Sequence, residues 1–391
     1  RQTDLPQVGL QTSSCRHGCS TPRSGTTRFN MTAMVVATPL AHVLALLVVW
    51  STMPTGVLAV TLQSSHDGAS ALARASDAEG NSYCFGGKLL PEFYLLGAKN
   101  TATSSLWSDL RDRGVIATPG TTRVKEWQFF QTHTKVPAEA QQAQWLQSFP
   151  DCPSNRTVMG DFSVTNLFVL PLPSDFAWSE AVGYLPKAQN FDTARLIHQF
   201  HAETGTMPKF VVLLREPVAR QQSEYYQALP LQNCHGCMVH NTFAESFTSN
   251  VALLQQQPPL MSDWFWKSFY SRQIEEYLKY HDAKNFLFVP DSEYFAIDPP
   301  RFSASLLSWL RIDSEPWLEA AHSNSHEKPE LDQELPPGTP SRVQYEAFMA
   351  PEQARLVRTL ARAHLHGAAL AGYRGPPGDV AAVGEWLERG W

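Results

Sequence analysis

Three residues stand where their types and neighbours could do chemistry: Lys99, Arg215 and Glu126. Lys99 lies in Glu92–Leu110, EFYLLGAKNTATSSLWSDL, directly after an apolar run that ends in glycine and directly before a hydroxyl-rich helix start. Phe93 to Leu96 are predicted to form a strand buried on both faces, of the kind found in parallel sheets. Gly97 permits a tight turn, Thr103, Ser104 or Ser105 can cap the helix that follows, and Arg113 with Gly114 marks its end. The N-terminus of a helix presents unpaired N–H groups and partial positive charge, so a lysine and several hydroxyls beside it make a seat for phosphate or sulfate.

A second stretch repeats the arrangement. In Lys209–Gln227, KFVVLLREPVARQQSEYYQ, a buried strand from Phe210 to Leu214 leads through Arg215, Glu216 and Pro217 into a helix. Pro217 suits a first helical turn, and Arg215, Arg220 and Ser223 can converge on another anion. Two such turns suit a ligand that carries phosphate at both ends.

The pair resembles the two cofactor loops of sulfotransferases, in particular the Golgi-type carbohydrate enzymes related to heparan sulfate sulfotransferases. GAKNTATSSL is similar to their loop for the 5'-phosphosulfate, and LREPVARQQSEYY to their loop for the 3'-phosphate. The resemblance implies a three-layer α/β, P-loop-like domain with a central parallel sheet. It implies 3'-phosphoadenosine 5'-phosphosulfate as co-substrate, with no metal. It carries cofactor contacts onto Lys99, Asn100, Thr101, Ala102, Thr103, Ser104, Arg215 and Ser223. In many relatives the loop lysine stands three residues after the glycine, a place held here by Asn100, so Lys99 is the candidate for that role.

The same resemblance assigns Glu126, ahead of Phe129 and Phe130 in VKEWQFF, as the base that takes the acceptor's proton. That task needs a carboxylate near the sulfur in dry surroundings. The structural alternative is a half-buried glutamate paired with Lys125 or Arg123, in a short strand. Asp161 and Ser163, in TVMGDFSVTNL, fit loosely a family segment with an acidic or basic group, and a turn-forming aspartate is the alternative.

The elements that must position these residues follow from the rest of the pattern. A helix from Phe191 to Thr204 feeds the second strand, an alternation that suits a parallel sheet, and a helical spacing runs from Trp264 to Asp282. The resemblance implies that this last helix precedes a strand, matched by Asn285 to Val289, and then a helix, matched by Arg301 to Arg311. Pro351 and Glu352 are expected to open a last helix that ends at Gly367. The domain is expected over residues 85–375, with 376–391 as a tail.

Ahead of it, residues 1–30 are polar and expected to be disordered, residues 31–60 form an almost uncharged targeting segment, and 61–84 read as a stem. The targeting segment is a signal anchor or a cleaved signal peptide. Positive charge before it and not after puts the bulk of the chain in the lumen of the secretory route, as a single-pass Golgi protein or a secreted one. Asn155-Arg156-Thr157 would then be a glycosylation acceptor. In such a compartment Cys234-His235-Gly236-Cys237 reads as a local disulfide, or as pairing with Cys84 and Cys152, rather than as a zinc site.

A hydrophobic content of 43% supports a large core, and a formal charge of −6 argues against nucleic acid as a general partner. The acceptor is expected to be a glycan or another hydroxyl or amino compound, though no dense Lys/Arg stripe in the sequence marks a highly sulfated polymer. Two rivals stand beside this reading. A P-loop kinase would need a Mg²⁺ ligand beside a Lys-Ser/Thr pair, and a glycan-binding protein would keep the fold without catalysis.

Overall fold

The computed structural model describes residues 83–117, 125–130, 139–167, 177–178, 192–228, 242–321 and 335–391, all within one compact unit, Ser65–Trp391. Its centre is a five-stranded sheet: β1 (Phe93–Gly97), β2 (Gly160–Asp161), β3 (Lys209–Leu214), β4 (Phe286–Pro290) and β5 (Ala369–Leu370). The spatial order is 2-1-3-4-5, and every neighbouring pair is parallel. The apolar runs explain why, since strands with both faces covered need no polar alternation.

Alternate residues go to opposite faces. Tyr94, Leu96, Phe210, Val212, Phe286 and Phe288 pack on one side. There they meet α2 (Thr193–Thr204), α4 (Tyr270–Leu278), α6 (Pro340–Leu365) and α7 (Val380–Arg389). Phe93, Leu95, Val211, Leu213, Leu287 and Val289 face α1 (Thr103–Asp112) and α5 (Pro299–Leu310), which contribute Leu106, Leu110, Leu306 and Leu310. A third cluster joins α3 (Pro217–Ala228) to the helix Phe243–Leu254 through Val218, Tyr225, Phe243 and Phe247.

Several expectations are corrected. The helical spacing from Trp264 onward is two helices, Asp263–Trp266 and α4, because Ser268 N and Phe269 N turn back onto Phe265 O and Trp266 O. The last long helix, α6, starts at Pro340 and runs through Pro351. Residues 376–391 are no tail, since Val383, Trp386 and Leu387 are buried in the main core at helical spacing. Residues 125–130 are not a strand: Gln128 N donates to the Ser163 hydroxyl at 2.8 Å instead of to a neighbouring strand.

The targeting segment and the stem up to residue 82 lie outside the described residues, as do Val124 and the Cys234–Cys237 motif, whereas Tyr83 and Cys84 at the end of the expected stem pack on the main core. Among the described residues no helix is long and apolar enough to cross a membrane. Cys84 and Cys152 form a disulfide, their Cα atoms 5.8 Å apart.

Candidate active site

Strand order reverses between β1 and β3, since β2 lies outside β1 and β4 lies outside β3. In an open parallel sheet the loops leaving the carboxyl ends at such a point diverge to opposite faces and leave a crevice between them, where ligands bind. The two loops singled out by the sequence are the ones that leave β1 and β3.

The first loop is shaped by its backbone. Gly97 has φ of 119°, and a Cβ there would stand 2.4 Å from the Val164 carbonyl oxygen, so no other residue fits. Asn100 and Ala102 are also left-handed, at φ 66° and 63°. Thr101 donates its hydroxyl hydrogen to Ala98 O and is fully buried. Ala102, not a hydroxyl residue, is the N-cap of α1, and it makes no side-chain cap bond. The first N–H groups of α1 are therefore left without a side-chain cap, the condition for an anion seat.

The second loop touches the first. Arg215 Nη1 donates to Asn100 O at 3.2 Å, and Asn100 Nδ2 donates to Gln227 Oε1, one turn of α3 beyond Ser223, at 3.0 Å. Arg215 is also held by Asp291, just past β4, with Nε 3.2 Å from Oδ2. Burial pushes the Asp291 carboxyl up to about 6, against the pull of Arg215. Ser223 is half-buried on α3.

No protein-family model matches the chain, and no curated protein matches it. Among solved structures it is similar to a sulfotransferase from Alicyclobacillus acidocaldarius, at 19% sequence identity and a TM-score of 0.44, over 68% of this chain and 94% of that one.

Arg220 departs from the sequence expectation. It is fully buried, with Nε donating to Ser268 Oγ at 2.8 Å, Nη1 to Glu224 Oε2 at 2.7 Å and Nη2 to Trp264 O. It holds Glu224 rather than a ligand. Glu224 in turn gathers two lysines, with Lys267 Nζ at 2.6 Å and Lys99 Nζ at 3.6 Å from the same oxygen. Burial alone would push that carboxyl up, but Lys267, Arg220 and Lys99 together hold it well below the usual carboxylate range.

Lys99 and Lys267 line one small cavity with Ala98, Val164, Thr165 and Gln273. Sequence reasoning missed Lys267 because the apolar periodicity runs straight across the helix break that presents it.

Lys125 was also missed, except as a partner for Glu126. Its Nζ stands 3.2 Å from Thr103 Oγ1, 3.0 Å from Ser104 Oγ and 3.2 Å from Glu126 Oε1. Burial lowers its affinity for a proton, and Glu126 works against that. The structural alternative for Glu126, a pair with Lys125, is therefore present, and the pair sits at the start of α1. The Glu126 side chain keeps about 30% exposure, which leaves it open to a substrate.

Behind it lies Asp161, fully buried, whose Oδ1 accepts from Ser163 N at 2.8 Å and Asn166 Nδ2 at 3.4 Å. Burial first, with Glu126 adding to it, raises its pKa to about 6. Among the described residues no cluster of His, Cys, Asp and Glu is arranged to hold a metal ion.

Proposed function

We propose that this domain is a sulfotransferase, moving a sulfuryl group from 3'-phosphoadenosine 5'-phosphosulfate to a hydroxyl or amino group, with a glycan as the acceptor. The observation that carries the reading is the bond between the two anion loops. Arg215 of the second donates to the backbone of the first at the switch point of the sheet, so one ligand with phosphate at both ends would meet both. The residues present fit such a ligand: an N-terminus of α1 without a side-chain cap, the hydroxyls of Thr103 and Ser104, and the cations Lys99, Lys125 and Arg215.

The donor supplies the sulfuryl group, whose bond to the bridging oxygen breaks as the acceptor atom attacks sulfur. Lys99 and the N–H groups of α1 would stabilise the negative charge that grows on the bridging oxygen. Arg215 and Ser223 would grip the far phosphate, and Glu126 would take the acceptor's proton. Lys125 ties that carboxylate to the loop hydroxyls and fixes its distance from the transferred group.

The secretory setting is part of the same proposal, with the Golgi lumen or the exterior as the place of action. It is supported by the uncharged segment at 31–60, by the Cys84–Cys152 disulfide and by an exposed Asn155.

One observation favours a second reading, a glycan-binding protein without catalysis: the Lys99 ammonium is turned to Glu224. Two variants separate the readings. Glu126→Gln should lower turnover by roughly 10² to 10⁴ and leave the affinity for 3'-phosphoadenosine 5'-phosphate near the parent's. Lys99→Ala should lose transfer and some affinity together. A parent protein that binds the nucleotide in calorimetry yet transfers labelled sulfate to no acceptor would decide for the binding protein.

A further inference from the structure

A groove of about 1100 Å³ lies at the other edge of the sheet. It is walled by the end of α4 and the turn before β4 on one side, and by the last turns of α6 on the other. These segments lead into the amino ends of β4 and β5, whereas the anion loops leave the carboxyl ends of β1 and β3. In a parallel sheet those are opposite edges. The turn after α6 closes the groove against Lys284, with the Gly367 Cβ position 3.3 Å from the lysine's Cβ.

Five cations line it: Lys279, Lys284, Arg355, Arg358 and Arg362. In a chain of formal charge −6 this is a local reversal of sign. Two carboxylates also line it, Glu275 on Arg355 and Asp282 on Lys284 at 3.1 Å. Arg358 and Arg362, one turn apart on α6, are exposed and make no ion pair among the described residues. Linear sequence hides the feature because the cations come from two segments some 80 residues apart, none of them dense.

We propose that this groove binds an anionic oligosaccharide, sulfated or carboxylated, apart from the transfer site. Its volume exceeds the roughly 300–1,000 Å³ that holds one drug-sized molecule, so it suits several linked sugars. Unpaired guanidinium groups match sulfate and carboxylate oxygens in pairs. Glu275, Asp282 and the Thr359 hydroxyl can accept from sugar hydroxyls. A membrane surface is disfavoured because no large exposed apolar side chain lines the groove to enter the lipid.

The test is calorimetric titration of the purified luminal protein with a fully sulfated heparin hexasaccharide. The parent should bind, and the Arg358→Glu/Arg362→Glu variant should bind on the order of 100-fold more weakly at an unchanged melting temperature. Should the reversal variant fail to fold, Arg358→Gln/Arg362→Gln should still lose at least tenfold, about the minimum for one lost charge-assisted bond. Arg215→Ala should keep the parent's affinity, and its loss of binding would return the ligand to the transfer loops and overturn the proposal. Equal affinity in the arginine variants overturns it, as does binding of phosphatidylserine vesicles or a single-stranded oligonucleotide in place of the hexasaccharide.

Discussion

Asp161 holds its proton more firmly in the folded chain than an aspartate does in water, because burial removes the solvent its charge needs. A carboxyl whose folded pKa lies near 6, above an unfolded value near 3.9, adds stability that is fully present below the unfolded value and lost as pH rises through the folded one. The loss amounts to about 3 kcal/mol, from two units at about 1.4 kcal/mol each. Other groups titrate too, Glu224 with the opposite sign, so the difference between variants is what carries the information. Denaturation of the parent and of Asp161→Asn at pH 4, 5, 6 and 7 should show the parent losing stability relative to the variant across that range. Parallel pH profiles would mean that Asp161 is ionised in the fold and solvated by something other than the groups named above.

At the level of elements, α3 and the break before α4 are joined by charge. Glu224 is buried among Arg220, Lys267 and Lys99, and removing its charge takes away the carboxylate that these cations share. Glu224→Gln should therefore cost about 3–5 kcal/mol, read from the urea midpoint, as for other buried pairs broken from one side. A cost below about 0.5 kcal/mol, typical of surface changes, would show that water reaches Arg220 and Lys267.

This network was illegible in the sequence, and the reason is physical. Phe93–Leu96 and Phe210–Leu214 declare themselves as strands because continuous apolar runs ending at a turn residue have few other uses. The same holds for the loops behind them, where Gly97 and Pro217 fix the backbone. By contrast the apolar spacing at Trp264, Trp266, Phe269 and Tyr270 continues across a break that is set by Ser268 and Arg220, two polar side chains meeting in the core. Arg220 reads as a ligand group on α3 until the packing shows which side of the helix is covered. Residues 125–130 were misread for a similar reason: their apolar content serves a loop bound to a side-chain hydroxyl.

For the molecule as a whole, the proposed route through the secretory pathway makes a claim about Asn155, which is exposed on the loop that Cys152 ties to Cys84. Expressed in animal cells, the protein should gain mobility on glycosidase treatment, and Asn155→Gln should remove the change. An unglycosylated parent on the cytosolic side of the membrane would sink that topology. The parallel direction of the sheet has a further consequence, because β4 puts five residues, roughly 16 Å at 3.3 Å per residue, between the basic groove and the level of Asp291 and Arg215. That span runs through the sheet, so a chain on the surface must follow the longer path round the domain. If the groove binds as proposed, a chain as short as the hexasaccharide fills one end, while a polymer long enough for that path would hold both, its second contact forming at the high effective concentration of a tethered end. Under the proposed activity, acceptor length would then set how long one polymer stays bound between successive transfers.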